Sequence, residues 1–268
     1  MKKIIAIALV LVMALSLAAC GGSADEKTIT IAASSTPHAE ILAVAKEVLA
    51  ADGWTLEVVE YADYVVPNTV VDDGEMDANY FQHQPHLDTF NAENGTKLVS
   101  VAAIHYEPFG IYTGTKDAID GLAEGDKIAV PNDGSNRARA LLLLEAEGLI
   151  VLKEGVGMEA TVLDIVENPL NLEIVEMEAA QIAGVRDSVA LAVINGNYAL
   201  LAGLNVSKDA IASEDAASVS AQTYANILVV KEGNENTEKT EALKAALFSD
   251  EVKAFINDTY SGAVVPIF

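Results

Sequence analysis

Two spacings of apolar residues succeed one another along the chain. Residues 28–32, Thr-Ile-Thr-Ile-Ala, alternate at the two-residue period of a strand. Residues 38–51 then carry Ile41, Leu42, Val44, Ala45, Val48 and Leu49 at helical steps, and residues 56–59 read as a second strand. Strand, helix, strand in that order predicts a parallel pair joined by a right-handed crossover. A helix is expected around residues 68–71, ended by Gly74. Further strands are predicted at 97–104, 127–130, 173–176, 188–194 and 224–230, and helices at 135–147 and 237–260. Residues 110–113 read as a segment crossing between units, and Asn195-Gly196-Asn197 as a polar turn. Alternating strands and helices define an α/β protein. Two such groups followed by a late strand favour two lobes, with the chain returning to the first.

The first residues follow neither spacing. Lys2 and Lys3 precede an almost wholly apolar stretch, 4–19, which stops at Leu17-Ala18-Ala19-Cys20-Gly21-Gly22. This pattern reads as a secretory signal, somewhat short for a membrane span. Cys20, directly after small residues, resembles the bacterial lipobox, in which the thiol is lipidated and becomes the first residue of the exported chain. The alternatives are an ordinary signal peptide with an incidental cysteine, or an uncleaved anchor helix. The expectation is therefore a signal peptide at 1–19, a lipidated N-terminus and tether at 20–27, and a lipid-anchored location on the extracytoplasmic face of the cell membrane.

Cys20 is the only cysteine, so a disulfide framework, a thiolate zinc site and a cysteine nucleophile are all excluded. At 51% hydrophobic residues the chain can bury a large core without them. The charge balance, 16 Lys and Arg against 40 Asp and Glu, is −24. Such a surface repels nucleic acid and anionic headgroups, which argues against both as direct partners. It says nothing about a ligand.

Two groups of residues could carry chemistry. Of the three arginines, Arg137, Arg139 and Arg186, two fall in the first turn of the helix predicted from Ser135. Cations there oppose the helix dipole unless an anion is held between the helix start and a guanidinium. Asn136 and Arg139, three apart, share a helix face. The simpler reading has both arginines solvated or paired with Asp133 and Glu145. The second group, Asn79-Tyr80-Phe81-Gln82-His83-Gln84-Pro85-His86, mixes aromatics, amides and histidines as a pocket with one apolar and one polar wall would. His83 and His86 with His105 offer a metal-binding alternative, weakened by Pro85 between the first two. No nucleophile-elbow, phosphate-loop or dinucleotide motif is present, so neither an enzyme nor a cofactor is expected.

Several motifs together resemble the NlpA/MetQ family, the methionine-binding lipoproteins of ABC importers. They are Tyr64 and Pro67-Asn68 leading to Asp77-Ala78-Asn79-Tyr80-Phe81-Gln82-His83, and Val130-Pro131-Asn132-Asp133 through Asn136 and Arg139 to Leu141 and Leu144. They continue with Asn168-Pro169 and Leu172, Ala192-Val193-Ile194-Asn195 with Tyr198-Ala199, and Tyr224-Ala225-Asn226. The similarity runs from about Thr28 to the C-terminus. It implies a two-lobed periplasmic-binding-protein-like fold, with mixed sheets flanked by helices and ligand in the interlobe cleft. Lobe 1 would span 28–112 and 224–268, and lobe 2 would span 113–223. It further implies a solute-binding lipoprotein that delivers methionine, a close analogue or a methionine-containing dipeptide to an ABC transporter permease. Ligand contacts would fall on Tyr64, Phe81, His83, Asn136, Arg139, Asn195 and Asn226. Arg139 would grip the α-carboxylate in bidentate fashion, the asparagines would accept from the ammonium, and Tyr64 and Phe81 would pack on the thioether. Gly134 and His86 depart from the family pattern, where Pro and Tyr are common. A metal-binding (zinc-type) solute-binding lipoprotein, or a surface lipoprotein with an adhesin or signalling role, are the competing readings.

Overall fold

The computed structural model describes residues 27–215 and 223–268. The expected signal peptide, Cys20 and all but the last residue of the tether lie outside them.

Two mixed sheets organise the chain. The first has strand order β13-β4-β12-β3-β1-β2. It is built from β1 (Thr28–Ala33), β2 (Thr55–Glu60), β3 (Ala78–His83), β4 (Leu98–Tyr106), β12 (Asn226–Lys231) and β13 (Val265–Pro266). As the strand–helix–strand pattern predicts, β1 runs parallel to β2, and also to β3. The late strand β12 returns antiparallel between β3 and β4. All six residues of β3 are buried, as a strand covered on both faces requires. On one face of this sheet, helix Glu40–Ala51 packs with helices Glu238–Leu247 and Asp250–Tyr260 through Ile41, Leu42, Leu243, Leu247, Val252 and Ile256.

The second sheet has order β11-β5-β10-β6-β9. Its strands are β5 (Gly110–Thr113), β6 (Lys127–Pro131), β9 (Glu173–Met177), β10 (Leu191–Ile194) and β11 (Ala210–Ser213). A separate hairpin pairs β7 (Val151–Leu152) with β8 (Ile165–Glu167). Helix Gly134–Ala146 buries Ala138, Leu141 and Leu144 against Ile128, Val130, Leu191 and Val193.

Four predicted boundaries change. Residues 110–113 are a strand of the second sheet, paired with β10 and β11, and not a crossing segment. The lobe boundary expected after residue 112 therefore cuts that strand, and we propose the first crossing at residues 107–109. We propose the return crossing after Ser213, where the backbone N–H of Glu214 donates to Phe109 O at 3.0 Å, beside the first. Strand β10 is shorter than 188–194, because residues up to Ser188 belong to a 3-10 turn. Asn195-Gly196-Asn197 does not simply turn but opens a short helix, Gly196–Leu201. Finally, residues 237–260 form two helices. Ser249 caps the second by accepting from the Val252 N–H, which ends the first at Leu247.

Candidate functional site

The two sheets bring their strand ends together, the usual place for a ligand in open α/β sheets. His83 is the last residue of β3, and register places Asn226, the first residue of the antiparallel β12, beside both His83 and His105. On the facing side, Asn195 follows β10, and Asp133 follows β6 to cap helix Gly134–Ala146. Between them lies a small cavity lined by Tyr64, Phe81, His83, Asn136, Arg139, Asn195 and Asn226 among others. The structure thus brings all seven sequence-predicted ligand residues to one enclosure.

One end is aromatic. The Tyr64 ring lies 5.9 Å from Phe81, 5.7 Å from His86 and 5.0 Å from Tyr198, centre to centre. Tyr64 donates to Asn197 Oδ1 at 2.5 Å, and Tyr198 donates to Ala62 O at 2.9 Å, so hydrogen bonds cross between the lobes here. Behind this wall, Asn68, Asn79 and Gln82 satisfy one another's amides: Asn79 Nδ2 donates to Asn68 Oδ1 at 2.9 Å, and Asn68 Nδ2 to Gln82 Oε1 at 3.0 Å. Asn79 also donates to Pro67 O at 3.1 Å, tying helix Val66–Asp72 to β3. The amides of this motif serve mainly the scaffold.

The other end is polar. His83 Nδ1 accepts from the His86 N–H at 3.2 Å, which puts the ring proton on Nε2, where it is donated to Asn136 Oδ1 at 3.0 Å. Burial first, then the charges of Arg139 and His86, hold the His83 pKa well below that of an ordinary histidine, so the ring is neutral. Asn136 Oδ1 also accepts from Asn195 Nδ2 at 2.9 Å, leaving Asn195 Oδ1 buried without a hydrogen-bond partner among the described residues.

Arg139 is 4% exposed. Its guanidinium does not present an open fork to the cavity, as the family resemblance implied. Nε donates to Glu214 Oε1 at 2.8 Å, and Nη2 to Glu214 Oε2 at 2.5 Å and to Glu107 O at 3.0 Å. The rings of Tyr224 and Phe109 cover it at 4.2 and 4.8 Å. The reason is desolvation: a guanidinium buried this deeply needs a counter-charge in place. Burial pushes the Glu214 carboxyl up, but the Arg139 charge and the hydrogen bonds from Arg139, Tyr106 and the Phe109 N–H together bring its pKa below normal. Arg137, by contrast, points outward to Glu176 at 3.2 Å, the bland reading of a helix arginine.

The acid that sequence reasoning missed is Glu107. It is 5% exposed and lines the cavity. Its Oε1 accepts from His105 Nε2 at 2.7 Å, and His105 Nδ1 accepts from the Tyr80 hydroxyl. His38 Nε2 lies 3.6 Å from the same oxygen and donates to Asn226 Oδ1 at 2.9 Å. Burial lowers His38 to about 4 and His105 to about 3. The one detectable signal was isolation: Glu107 is the sole charged residue between Lys97 and Lys116. Gln82, His86, Gly196 and Asn197 also line the cavity and were not among the expected ligand contacts.

The metal alternative does not keep its expected members: His105 is grouped not with His83 and His86 but with His38 and Glu107, whose donor atoms lie within 4.8 Å of one another. Two ligands about 2.1 Å from one tetrahedral zinc stand roughly 3.4 Å apart. The 2.7 Å His105–Glu107 contact is instead a hydrogen bond.

Two α/β lobes joined at a double crossing, with a small enclosure of aromatic and polar residues at the strand ends, define a two-lobed binding protein. The sequence narrows the class: the NlpA lipoprotein profile matches residues 29–268, and the chain belongs to that family. The methionine-binding lipoprotein MetQ of Bacillus subtilis is 41% identical over 275 residues, 100% of this chain and 99% of the relative. A lipoprotein of Ruminococcus gnavus is 60% identical with a TM-score of 0.89, over 90% of this chain and 100% of that one. A nutrient binding protein of Burkholderia cenocepacia, solved bound to methionine, is 42% identical with a TM-score of 0.85, again over 90% and 100%. Among the described residues no helix is long and apolar enough to cross a membrane.

Proposed function

We propose that this protein is a lipid-anchored receptor, held through Cys20 on the extracytoplasmic face of the cell membrane, that binds methionine or a close analogue and delivers it to the permease of an ABC importer. It is a carrier and performs no reaction. The observation that carries the reading is the two-ended enclosure between the lobes. Tyr64 and Phe81 offer aromatic surface to an unbranched thioether, each such contact contributing about 0.3–1.5 kcal/mol. Opposite them stand the groups a zwitterion needs: Asn195 Oδ1 and Glu107 as acceptors for an ammonium, and the Arg139 guanidinium as donor to a carboxylate. His83, Asn136 and Asn226 hold these groups in place. The methionine-binding lipoprotein of Bacillus and the methionine-bound protein of Burkholderia support the same ligand. Because contacts come from both lobes, bound ligand favours the closed form, the form we propose docks on the permease.

A thermal-shift screen of the purified protein against the twenty amino acids tests this. Methionine at a hundredfold excess over its Kd stabilises by about 2.7 kcal/mol, a rise of roughly 5–11 °C. A flat screen, together with no methionine among molecules released from natively purified protein, would refute the reading.

A further inference from the structure

We propose that the start of helix Gly196–Leu201 and residues 61–65 form a clasp across the lobes, whose two tyrosine hydroxyls set how long the ligand stays without reading what it is. Tyr198 is thereby a positioning residue, placed outside the cavity. This rests on the ligand reading above and adds to it the part of the molecule that governs release.

Two successive residues of one lobe bond one short segment of the other. Tyr198 donates to Ala62 O at 2.9 Å, and Asn197 Oδ1 accepts from the Tyr64 hydroxyl at 2.5 Å. Between these bonds the Tyr64 and Tyr198 rings lie 5.0 Å apart at 34°. Residues 61–65 belong to no helix or strand, yet their own lobe fixes them at both ends. The Tyr61 N–H donates to Ala33 O at 2.8 Å, and Asp63 Oδ1 accepts from the Val65 and Val66 N–H groups at 2.7 and 2.8 Å. The segment therefore meets the facing helix already shaped, and little chain entropy is lost when the clasp forms.

The hydroxyls do not serve the ligand. Tyr198 is not among the described residues that line the cavity; with Asp63, Val65 and Glu178 it lines a groove outside it. Tyr64 does line the cavity, but its hydroxyl has one proton to donate and Asn197 takes it. When the lobes part, water replaces both partners, so the two bonds contribute to closure alone. A ligand enters before they form and leaves after they break, which slows release and leaves entry unchanged. Closure is the same motion whatever fills the cavity, so every ligand gains by the same factor.

Tyr198→Phe keeps the ring in its packing and removes the hydroxyl. Calorimetry of the purified protein, freed of co-purifying ligand, compares methionine with norleucine, which matches its length and lacks the sulfur. Release of labelled methionine into excess unlabelled methionine gives the dissociation rate. The expected result is release faster by about threefold to tenfold, the scale of one net hydrogen bond. Association should stay within about twofold, as expected when affinity changes through release. Both ligands should weaken by the same factor, and the ligand-free Tm should hold within about 3 °C. Unchanged release overturns the proposal, as do factors for the two ligands that differ by more than about threefold. A larger fall in the ligand-free Tm also overturns it, because the hydroxyl then serves the fold and not closure. Tyr64→Phe, which keeps its ring in the cavity and loses the bond to Asn197, is expected to show the same pattern and decides the matter if Tyr198→Phe does not fold. Methionine failing to bind the unaltered protein refutes the functional reading itself, and this proposal with it.

Discussion

Gly196→Ala tests whether Glu107 is held where the structure places it. A methyl group at Gly196 would sit 2.6 Å from Glu107 Cβ and 2.6 Å from Oε2, and 3.3 Å from Cγ. Contacts under 3 Å force a displacement, and Glu107 has little room to give. Its Cβ is fixed to a buried backbone, and its carboxylate is anchored by His105 and the Asn197 N–H. Alanine gains up to about 1 kcal/mol of helix propensity over glycine. Against this, overpacking costs about 1–3 kcal/mol, and a weakened hydrogen bond to a charged group adds about 1.5–3 kcal/mol. The net is a loss of roughly 1.5–6 kcal/mol, or about 3–24 °C in Tm for a chain of this size. Thermal denaturation followed by circular dichroism reads this directly. Gly184→Ala is the control, because a methyl group there meets nothing within 4 Å. Equal Tm for Gly196→Ala and the unaltered protein, with ligand affinity retained, would refute the packing of Glu107 under the Gly196–Leu201 helix.

Removing Arg139 strands Glu214 in a buried setting, so Arg139→Ala should lower stability by about 3–5 kcal/mol in denaturant titrations. Arg137→Ala, which loses a half-exposed pair with Glu176, should stay within about 0.5 kcal/mol. Phe81→Ala should cost about 3–5 kcal/mol and weaken ligand binding, because the ring is 3% exposed and packs on Tyr64 and His86. Acid should act through His38, whose pKa burial lowers from 6.5 to about 4 against the opposing pull of Glu107. The unfolded chain then binds more protons between those values, so the stability from keeping this ring neutral is complete above about pH 6.5 and is lost as pH falls toward 4. Relative to His38→Gln, the unaltered protein should lose up to about 1.4 kcal/mol per pH unit in that window. The comparison removes the relief of charge repulsion that acid brings to a chain of net −24. A pH-independent difference would contradict it.

The elements that periodicity revealed are those whose apolar face is long enough to repeat. The strand at residues 28–33 and the helix at 40–51 alternate cleanly, because each buries one side against a layer. Residues 110–113, Gly-Ile-Tyr-Thr, are too short to show a repeat, so pattern alone did not separate a strand from a connection. The predicted cavity residues came from the family resemblance; of the seven, only Phe81, His83, Asn136 and Arg139 also stood in groups whose residue types suggest a pocket. What remained hidden was pairing across distance. Glu214 lies 75 positions from Arg139 in a sequence rich in acids, and nothing local marks it as the partner of a buried guanidinium. Glu107 was legible in part, through its isolation in an apolar run. Its role depends on His105, two positions earlier, and on Asn197 and His38, which only the folded chain brings beside it.

The polar atoms between the lobes divide into two sets. The first is satisfied across the cleft without a ligand: Tyr64 to Asn197, Tyr198 to Ala62, and His83 to Asn136. At about 0.5–1.5 kcal/mol net each, three such bonds stabilise closure by only a few kcal/mol, little enough for the lobes to part. The second set faces the cavity: Asn195 Oδ1, a buried acceptor with no partner among the described residues, and the Glu107 carboxyl. A ligand whose donors reach them gains for that reason. Glu107 and Glu214 stand at the two crossings between the lobes, and Glu214 binds the Phe109 N–H as well as Arg139. The same residues therefore set the charge of the cavity and join the segments about which the lobes would turn, so filling the cavity and holding it shut draw on one set of contacts.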